Sequence, residues 1–96
     1  METRIMVLKG GSPAIHKLGD IGRDEDSYIW VKEETEDKYI GQFVEGLGFM
    51  DVQFNKSDVR SCTKEEIDKI NHTYYSVNGK IWGKNCYHYD GTWASE

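Results

Sequence analysis

The candidate metal ligands and catalytic nucleophiles of this 96-residue chain are Cys62, His72, Cys86 and His88. Protein zinc sites usually take paired thiolate or imidazole ligands with about two to four residues between them. Cys86 and His88 have one residue between them. That spacing is too tight for a zinc loop, and it does not direct an imidazole onto a thiol. The sequence therefore predicts no metal site, no cofactor and no enzymatic activity.

Carboxylates form the second group of chemically interesting side chains. Between Asp20 and Asp51 there are ten carboxylates and three basic side chains, which gives a net charge of −7, against −5 for the whole chain. Such a surface attracts cationic partners and repels phosphate. We expect an acidic face that binds a protein with a basic surface, and we do not expect nucleic acid. The alternative is a solvated face that keeps a small protein in solution. The residues predicted for the acidic face are Asp24, Glu25, Asp26, Glu33, Glu34, Glu36 and Asp37.

Aromatic side chains are concentrated near the carboxyl end of the chain. The predicted partner- or ligand-binding aromatics are Trp82, Tyr87, Tyr89 and Trp93. Aromatic rings at this density can anchor a partner or form a stacking platform. They can equally cover the open end of a small β-barrel. A two-faced hairpin cannot bury all of them in a domain of this size, so we expect at least one to be exposed or in an interface.

Alternating apolar residues predict the strands that position these groups. The predicted strands are 4–9, 27–33, 38–45 and 49–54, and the last three have hairpin-length connections, which favour an antiparallel meander. Gly41 inside a strand indicates a bulge or a bend. The predicted barrel core is Ile29, Val31, Ile40, Val44, Met50, Val52 and Phe54.

One short helix is predicted after the strands, over residues 63–75. Thr63 and Glu66 have the spacing of a capping box, and Ile67 and Ile70 form an apolar stripe at helical spacing. Asn78-Gly79 favours a tight turn, and residues 78–93 are predicted to form a terminal β-hairpin.

Length and composition indicate one domain spanning residues 1–96. No apolar run has the length of a signal peptide or a membrane span, so we expect a cytoplasmic protein with reduced thiols and no membrane partner.

The segment 17–63 resembles the small SH3-like β-barrels encoded by phages and prophages of Gram-positive bacteria. The resemblance depends on the turn Lys17-Leu18-Gly19-Asp20, the strands beginning at Tyr28, Tyr39 and Gly48, and the closing piece Asp58-Val59-Arg60. It implies a small, partly open SH3-like barrel for this segment. Together with the short helix and the C-terminal β-hairpin predicted from the sequence pattern, the expected fold is mainly β (α+β). The resemblance also implies a non-catalytic interaction module, such as a phage-encoded inhibitor of a host or defence protein acting in the host cytoplasm. Two alternatives stay open: a small-molecule binder that sequesters a nucleotide signal, and a nucleic-acid-binding barrel.

Overall fold

The computed structural model describes residues 4–44, 50–73 and 87–92. Within these residues the protein is mainly β, with seven strands and one α-helix. The strands are β1 (Arg4–Leu8), β2 (Pro13–Ile15), β3 (Ile21–Gly22), β4 (Ser27–Glu34), β5 (Lys38–Phe43), β6 (Val52–Asn55) and β7 (Val59–Ser61). A short 3-10 helix (Lys56–Asp58) leads into β7, and the helix α1 spans Lys64–Thr73.

The seven strands form a single antiparallel sheet in the order β3-β2-β6-β5-β4-β1-β7. β1 and β2 follow one another in the chain, yet three strands lie between them in the sheet. Side chains from both ends of the sheet, Ala14 and Ile21 at one end and Val59 at the other, pack against one core cluster. The sheet therefore curls around that cluster, but in the described part of the chain no strand pairing joins its ends into a barrel.

The predicted mainly β fold with one short helix is confirmed within these residues. β1, β4 and β5 lie within about one or two residues of their predicted bounds, which is the usual uncertainty of strand ends. β6 begins at Val52, three residues after the predicted start at Phe49, which itself lies outside the described residues. Most of the predicted hairpin, residues 78–86 and Trp93, also lies outside them.

The concave face of the sheet encloses the first core cluster. Ile29 and Val31 of β4 lie directly opposite Phe43 and Gly41 of β5. Directly opposite residues share a face of the sheet, so Phe43 packs into this core, where its ring meets Phe54 edge-on at a centroid distance of 5.7 Å. The buried members of the cluster are Met6, Leu8, Ala14, Ile29, Val31, Phe43, Val52 and Phe54.

Three of the predicted core residues do not belong to this cluster. Ile40 is half-buried and lies on the other face of β5, Val44 packs against the second core cluster, and Met50 is half-buried. The prediction assigned the wrong face of β5 to the core because both faces of this strand carry apolar residues. Tyr39 and Phe43 lie on one face, and Ile40 and Val44 lie on the other. The predicted core residues Ile29, Val31, Val52 and Phe54 are buried.

Gly41 lies where β4 and β5 change register, between Val31 and Glu33. A Cβ atom at this position would overlap the carbonyl oxygen of Trp30 on the neighbouring strand. The predicted bulge is therefore present, and glycine is required because the two backbones approach so closely.

The second core cluster lies between the opposite face of the sheet and α1. Ile5 and Val7 of β1 meet Ile67 and Ile70 of the helix, and Tyr87 completes the cluster. The apolar stripe predicted for the helix is thus confirmed at Ile67 and Ile70.

The capping box at the start of α1 is also present. The Thr63 hydroxyl accepts a hydrogen bond from the Glu66 backbone N–H at 3.1 Å, and Glu66 Oε1 accepts one from the Thr63 N–H at 2.8 Å. Among the described helices none is long and apolar enough to cross a membrane.

The segment 87–92 forms a turn that pairs with the start of β1, on the same side as β7. The Ile5 N–H donates to the carbonyl oxygen of Gly91 at 2.8 Å, and Arg4 pairs with Thr92. The side-chain amide of Asn71 donates to the carbonyl oxygen of Tyr87 at 3.2 Å and accepts a hydrogen bond from the Tyr87 N–H at 3.1 Å. The turn is therefore fixed to both the sheet and the helix.

The register of β5 can be tested by truncating one residue on each face. We expect Phe43→Ala to lower the free energy of unfolding by about 3–5 kcal/mol, because it leaves a cavity beside Phe54. Ile40→Ala should cost less than half as much, because this side chain is outside both clusters. Urea denaturation measures both values. A larger loss for Ile40→Ala would show that the faces are reversed.

The cap of α1 gives a second test. Thr63→Ala should lower the free energy of unfolding by about 1 kcal/mol, because a donor of the first helical turn loses its partner. Thr63→Ser keeps the hydroxyl and should stay close to the wild type in the same urea experiment. Equal loss in both variants would exclude the hydroxyl as the stabilising group.

Candidate functional site

The structure places the predicted acidic residues in two groups at opposite ends of β4. Asp24, Glu25 and Asp26 lie in the connection before the strand, and we call them the loop acids. The hairpin acids Glu33, Glu34, Glu36 and Asp37 lie at its far end and in the turn to β5. A strand of eight residues is about 26 Å long at ~3.3 Å per residue. The two groups are therefore two separate acidic patches.

Two of the hairpin acids are engaged by lysines. Lys56 Nζ lies 2.6 Å from Glu34 Oε2, and Lys38 Nζ lies 2.9 Å from Asp37 Oδ2. Hydrogen bonds from these lysines lower the pKa of each carboxyl. Both pairs are near solvent, so they contribute little to stability. Glu33 and Glu36 are exposed and have no ion pair in the described part of the chain.

The loop acids border a cleft of about 790 Å³ between the β3–β4 connection and α1. One wall is formed by residues 22–27, and the other by Glu66 and Lys69 of the helix. Val7 and Tyr28, which lie opposite each other in β1 and β4, line the cleft between these walls. Val7 is almost completely buried, so it belongs to the base of the cleft.

The corner between β1 and β2 holds the first wall in place. The Gly10 N–H donates to Asp26 Oδ1 at 2.8 Å, and the Gly11 N–H donates to the carbonyl oxygen of Arg23 at 2.7 Å. A Cβ atom at position 10 would overlap the carbonyl oxygen of Asp24. Glycine at this corner therefore lets the loop acids lie directly against the backbone.

Arg60 connects the two walls. Its guanidinium donates to both carboxylate oxygens of Glu66, at 2.7 and 2.9 Å, and its Nη2 lies 3.5 Å from Asp26 Oδ2. Glu66 also belongs to the capping box, so the same carboxylate holds the helix start and the arginine. Hydrogen bonding from Arg60 lowers the pKa of Glu66 to about 2, and hydrogen bonding to Glu66 raises the pKa of Arg60. Both side chains are charged throughout the physiological range.

Negative charge predominates around the cleft. Four carboxylates line it, those of Asp24, Glu25, Asp26 and Glu66, against the two lining bases Arg23 and Lys69 and the adjacent Arg60, which pairs with Asp26 and Glu66. The Arg23 guanidinium lies 4.3 Å from the centre of the Phe43 ring. Asp24 and Glu25 have no ion pair within the residues described, unlike Asp26 and Glu66. The outer rim of the cleft is therefore acidic and open to a cationic group.

The predicted aromatic anchors have different environments. Tyr87 is 7% exposed and meets Trp30 edge-on at a ring-centre distance of 5.7 Å, so it is part of the core. Tyr89 is 55% exposed; its hydroxyl donates to Asp68 Oδ1 at 2.8 Å, and Lys64 Nζ lies 5.2 Å from its ring centre. Trp82 and Trp93 lie outside the described residues.

Tyr89 and the cleft are on different sides of α1. At about 100° per residue, Lys64 and Asp68 lie on one flank of the stripe formed by Ile67 and Ile70, whereas Glu66 and Lys69 lie on the other. The exposed aromatic ring of the described tail therefore does not contribute to the acidic cleft.

Cys62 has the wrong environment for a nucleophile. It is buried, its thiol lies 3.9 Å from the carbonyl oxygen of Ile5, and desolvation raises its pKa to about 12. The thiolate, which is the reactive form, is therefore disfavoured. His88 is exposed, whereas Cys86 and the side chain of His72 lie outside the described residues. The absence of a metal site and of catalysis stays a prediction.

Comparisons of the chain with models of protein families, with curated proteins and with solved structures found no match.

Sequence reasoning missed the residues that complete the cleft, which are Val7, Gly22, Arg23, Ser27, Tyr28, Glu66 and Lys69. The helix contained a usable signal, because Glu66 and Lys69 are three residues apart and border the apolar stripe. No local signal connects Glu66 and Lys69 with the loop acids, which are about 40 residues earlier in the chain.

The Arg60–Glu66 pair makes stability depend on pH. The folded-state pKa of Glu66, about 2, is below its ordinary value of 4.5. Its contribution to the free energy of unfolding is therefore complete above 4.5 and is lost as the pH falls towards 2. We expect Glu66→Gln to be less stable than the wild type at about pH 7, and to lose less stability between about pH 7 and about pH 3.

Urea denaturation at both pH values measures the two differences. Glu65→Gln is the matched control, because Glu65 is an exposed neighbour with no ion pair in the described part of the chain, and it should keep the pH dependence of the wild type. Identical pH dependence in the two variants would contradict the assignment to Glu66.

Proposed function

We propose that the chain is a non-catalytic protein-interaction module that binds a basic surface of a partner through the loop acids. The observation that supports this proposal most directly is the outer rim of the cleft. Asp24 and Glu25 are exposed there, side by side in sequence, and neither has an ion pair within the described residues. Complementary charge at such a rim accelerates association and suppresses partners of the wrong sign.

The hairpin acids give the partner a second contact region. Their distance from the loop acids, most of the length of β4, exceeds the screening length of about 8 Å at physiological ionic strength. Each patch would therefore act on its own part of a partner surface. Each group retains two carboxylates without an ion pair in the described part of the chain, so we assign the main role to the loop acids because they also line the cleft.

The finer fold assignment and the biological setting are parts of the same proposal. An SH3-like, partly open barrel is supported by the packing of both sheet ends on one core cluster. The role of a phage-encoded inhibitor of a host or defence protein, acting in the host cytoplasm, rests on the resemblance of residues 17–63 to small phage barrels.

A small-molecule binder is the second candidate function. A volume of about 790 Å³ is within the range of about 300–1,000 Å³ that is usual for ligand pockets. The excess of carboxylates makes a nucleotide an unsuitable occupant, because its phosphates would face Asp24 and Glu25. A nucleic-acid partner is disfavoured for the same reason.

The proposal can be tested by affinity capture from the lysate of a Gram-positive host with three immobilised proteins. These are the wild type, the loop variant Asp24→Asn/Glu25→Gln and the hairpin variant Glu33→Gln/Glu36→Gln. Both variants remove two negative charges, and all four residues are exposed without an ion pair in the described part of the chain. We expect a protein captured by the wild type to bind the loop variant about threefold to tenfold more weakly. Its affinity for the hairpin variant should fall by less than about twofold.

The affinity of the wild type should also fall as salt increases, because exposed charges are screened. Equal capture by all three proteins, or capture that is independent of salt, would contradict a role for the loop acids.

A further inference from the structure

We infer that Asp90 is a site of isoaspartate formation, and that this modification detaches the turn 87–92 from the start of β1. The chain has one Asp-Gly pair, at residues 90 and 91, and Asp90 is exposed. The inference is independent of the proposed function, because none of the residues involved lines the acidic cleft.

The turn requires glycine at position 91. The φ angle of Gly91 is 90°, in the left-handed region that other residues rarely adopt, and a Cβ atom there would overlap the carbonyl oxygen of Ile5. Glycine is also the residue that makes a preceding aspartate most reactive, because no side chain hinders the approach of its backbone nitrogen to the carboxyl group. The geometry of the turn therefore imposes a labile pair on the sequence.

The reaction has two steps and needs only water. In the first step the backbone nitrogen of Gly91 attacks Cγ of Asp90, a C–N bond forms, and a carboxyl C–O bond breaks. That oxygen leaves as water with the amide proton and the carboxyl proton, and a cyclic imide remains. In the second step water adds to the main-chain carbonyl carbon of Asp90 and the bond from this carbon to the nitrogen breaks. The backbone then runs through Cβ and Cγ, and the former main-chain carbonyl is a free carboxylate.

Hydrogen bonds restrain both reacting groups in the folded turn. Asp90 Oδ1 accepts from the Thr92 N–H at 2.9 Å and from the Thr92 hydroxyl at 2.6 Å, and the Gly91 N–H donates to the carbonyl oxygen of His88 at 2.9 Å. Hydrogen bonding from Thr92 also lowers the pKa of Asp90, and an ionised carboxyl group loses its oxygen less readily. The reaction should therefore proceed when the turn opens locally.

The modified chain cannot form the same turn again. Isoaspartate adds one methylene to the backbone immediately before Gly91, whose carbonyl oxygen accepts from the Ile5 N–H at 2.8 Å. The pairing of β1 with β7 begins only at Met6, so within the described residues this turn alone pairs with Arg4 and Ile5 on that side. Its detachment would leave an unpaired strand edge, which is a template for pairing with another chain.

The test is incubation of the full chain at physiological temperature and pH, beside an acetylated and amidated peptide of residues 87–92. Tryptic digestion and electron-transfer fragmentation locate isoaspartate at residue 90. The Asn78-Gly79 pair, which can also form isoaspartate, lies in a different tryptic peptide and does not interfere. We expect isoaspartate to accumulate about tenfold more slowly in the folded protein than in the peptide, because the turn has to open first. The two rates should become equal in urea that unfolds the protein.

Three variants separate the contributions of the turn. Thr92→Ala removes the hydroxyl that holds the carboxylate and should accelerate the reaction about threefold, whereas Thr92→Ser should react at the wild-type rate. Asp90→Glu keeps the charge but would need a larger ring, so it should stay unmodified at this position. Amide spectra show that each variant is folded.

Hydrogen exchange of the aged wild type measures the detachment. In the modified molecules the Ile5 amide should exchange at least about tenfold faster than in the unmodified ones, because its hydrogen bond to Gly91 is lost. The Val7 amide is the internal control, because Val7 lies opposite Arg60 of β7 and should keep its exchange rate. The Asp90→Glu protein, incubated in the same way, should keep slow exchange at both amides.

Two results would overturn the inference. If no isoaspartate is found at residue 90 of the folded protein by the time the peptide has reacted completely, Asp90 is not a modification site. If the modified molecules keep slow exchange at Ile5, the modification does not detach the turn. Neither result affects the proposed function, which is tested by the capture experiment on the loop acids.

Discussion

The burial of β1 on both faces is the constraint on which the rest of the structure depends. Met6 and Leu8 point into the curled sheet, whereas Ile5 and Val7 point towards α1, and all four are at most 5% exposed. A strand that is apolar on both faces needs a cover on each side. The sheet provides one cover by curling, and α1 with Tyr87 provides the other. The protein thus has two core clusters separated by one strand, although the chain is short.

The acidic cleft is a consequence of this arrangement. Once Ile67 and Ile70 are docked against β1, the neighbouring flank of the helix has to face the start of β4. That flank carries Glu66 and Lys69, and the loop acids lie across from it because Gly10 and Gly11 hold the loop at the corner of the sheet. Arg60 then bridges two carboxylates that would otherwise repel each other. The same ion pairs that stabilise the helix start also determine which carboxylates stay available to a partner.

Local patterns in the sequence were sufficient for much of the fold. The apolar run of β1, the alternation in β4 and the capping box at Thr63 each depend on residues within one element, and each prediction is confirmed. The wrong face of β5 has a local cause as well: Ile40 and Phe43 are both apolar, and only the pairing of Ile29 with Phe43 distinguishes the two faces. Such pairing is not encoded within a single strand.

The site was less predictable because its contacts are distant in sequence. The acidic residues are contiguous in the sequence, but β4 lies between the two groups. Asp26 and Glu36 are therefore separated by about the length of this strand. The contact between Arg60 and Asp26 spans 34 residues, and no spacing rule relates them. Tyr87 was predicted as a candidate anchor because of its residue type, whereas two backbone hydrogen bonds that it exchanges with the side chain of Asn71, 16 residues earlier, hold it in the core. The short-range pattern could not distinguish these two environments.

The turn that pairs Gly91 with Ile5 has a consequence for how the protein is made. β1 leaves the ribosome well before the turn that pairs with it. The second core cluster therefore stays incomplete on the ribosome, with Ile5, Val7 and Trp30 lacking the cover of Tyr87 until the chain beyond Thr92 has emerged. Contacts that close such long loops also slow folding, because most of the loop entropy is lost before the contacts form. During translation, the apolar side of β1 that faces α1 is thus accessible to chaperones and prone to aggregation until this turn has been made.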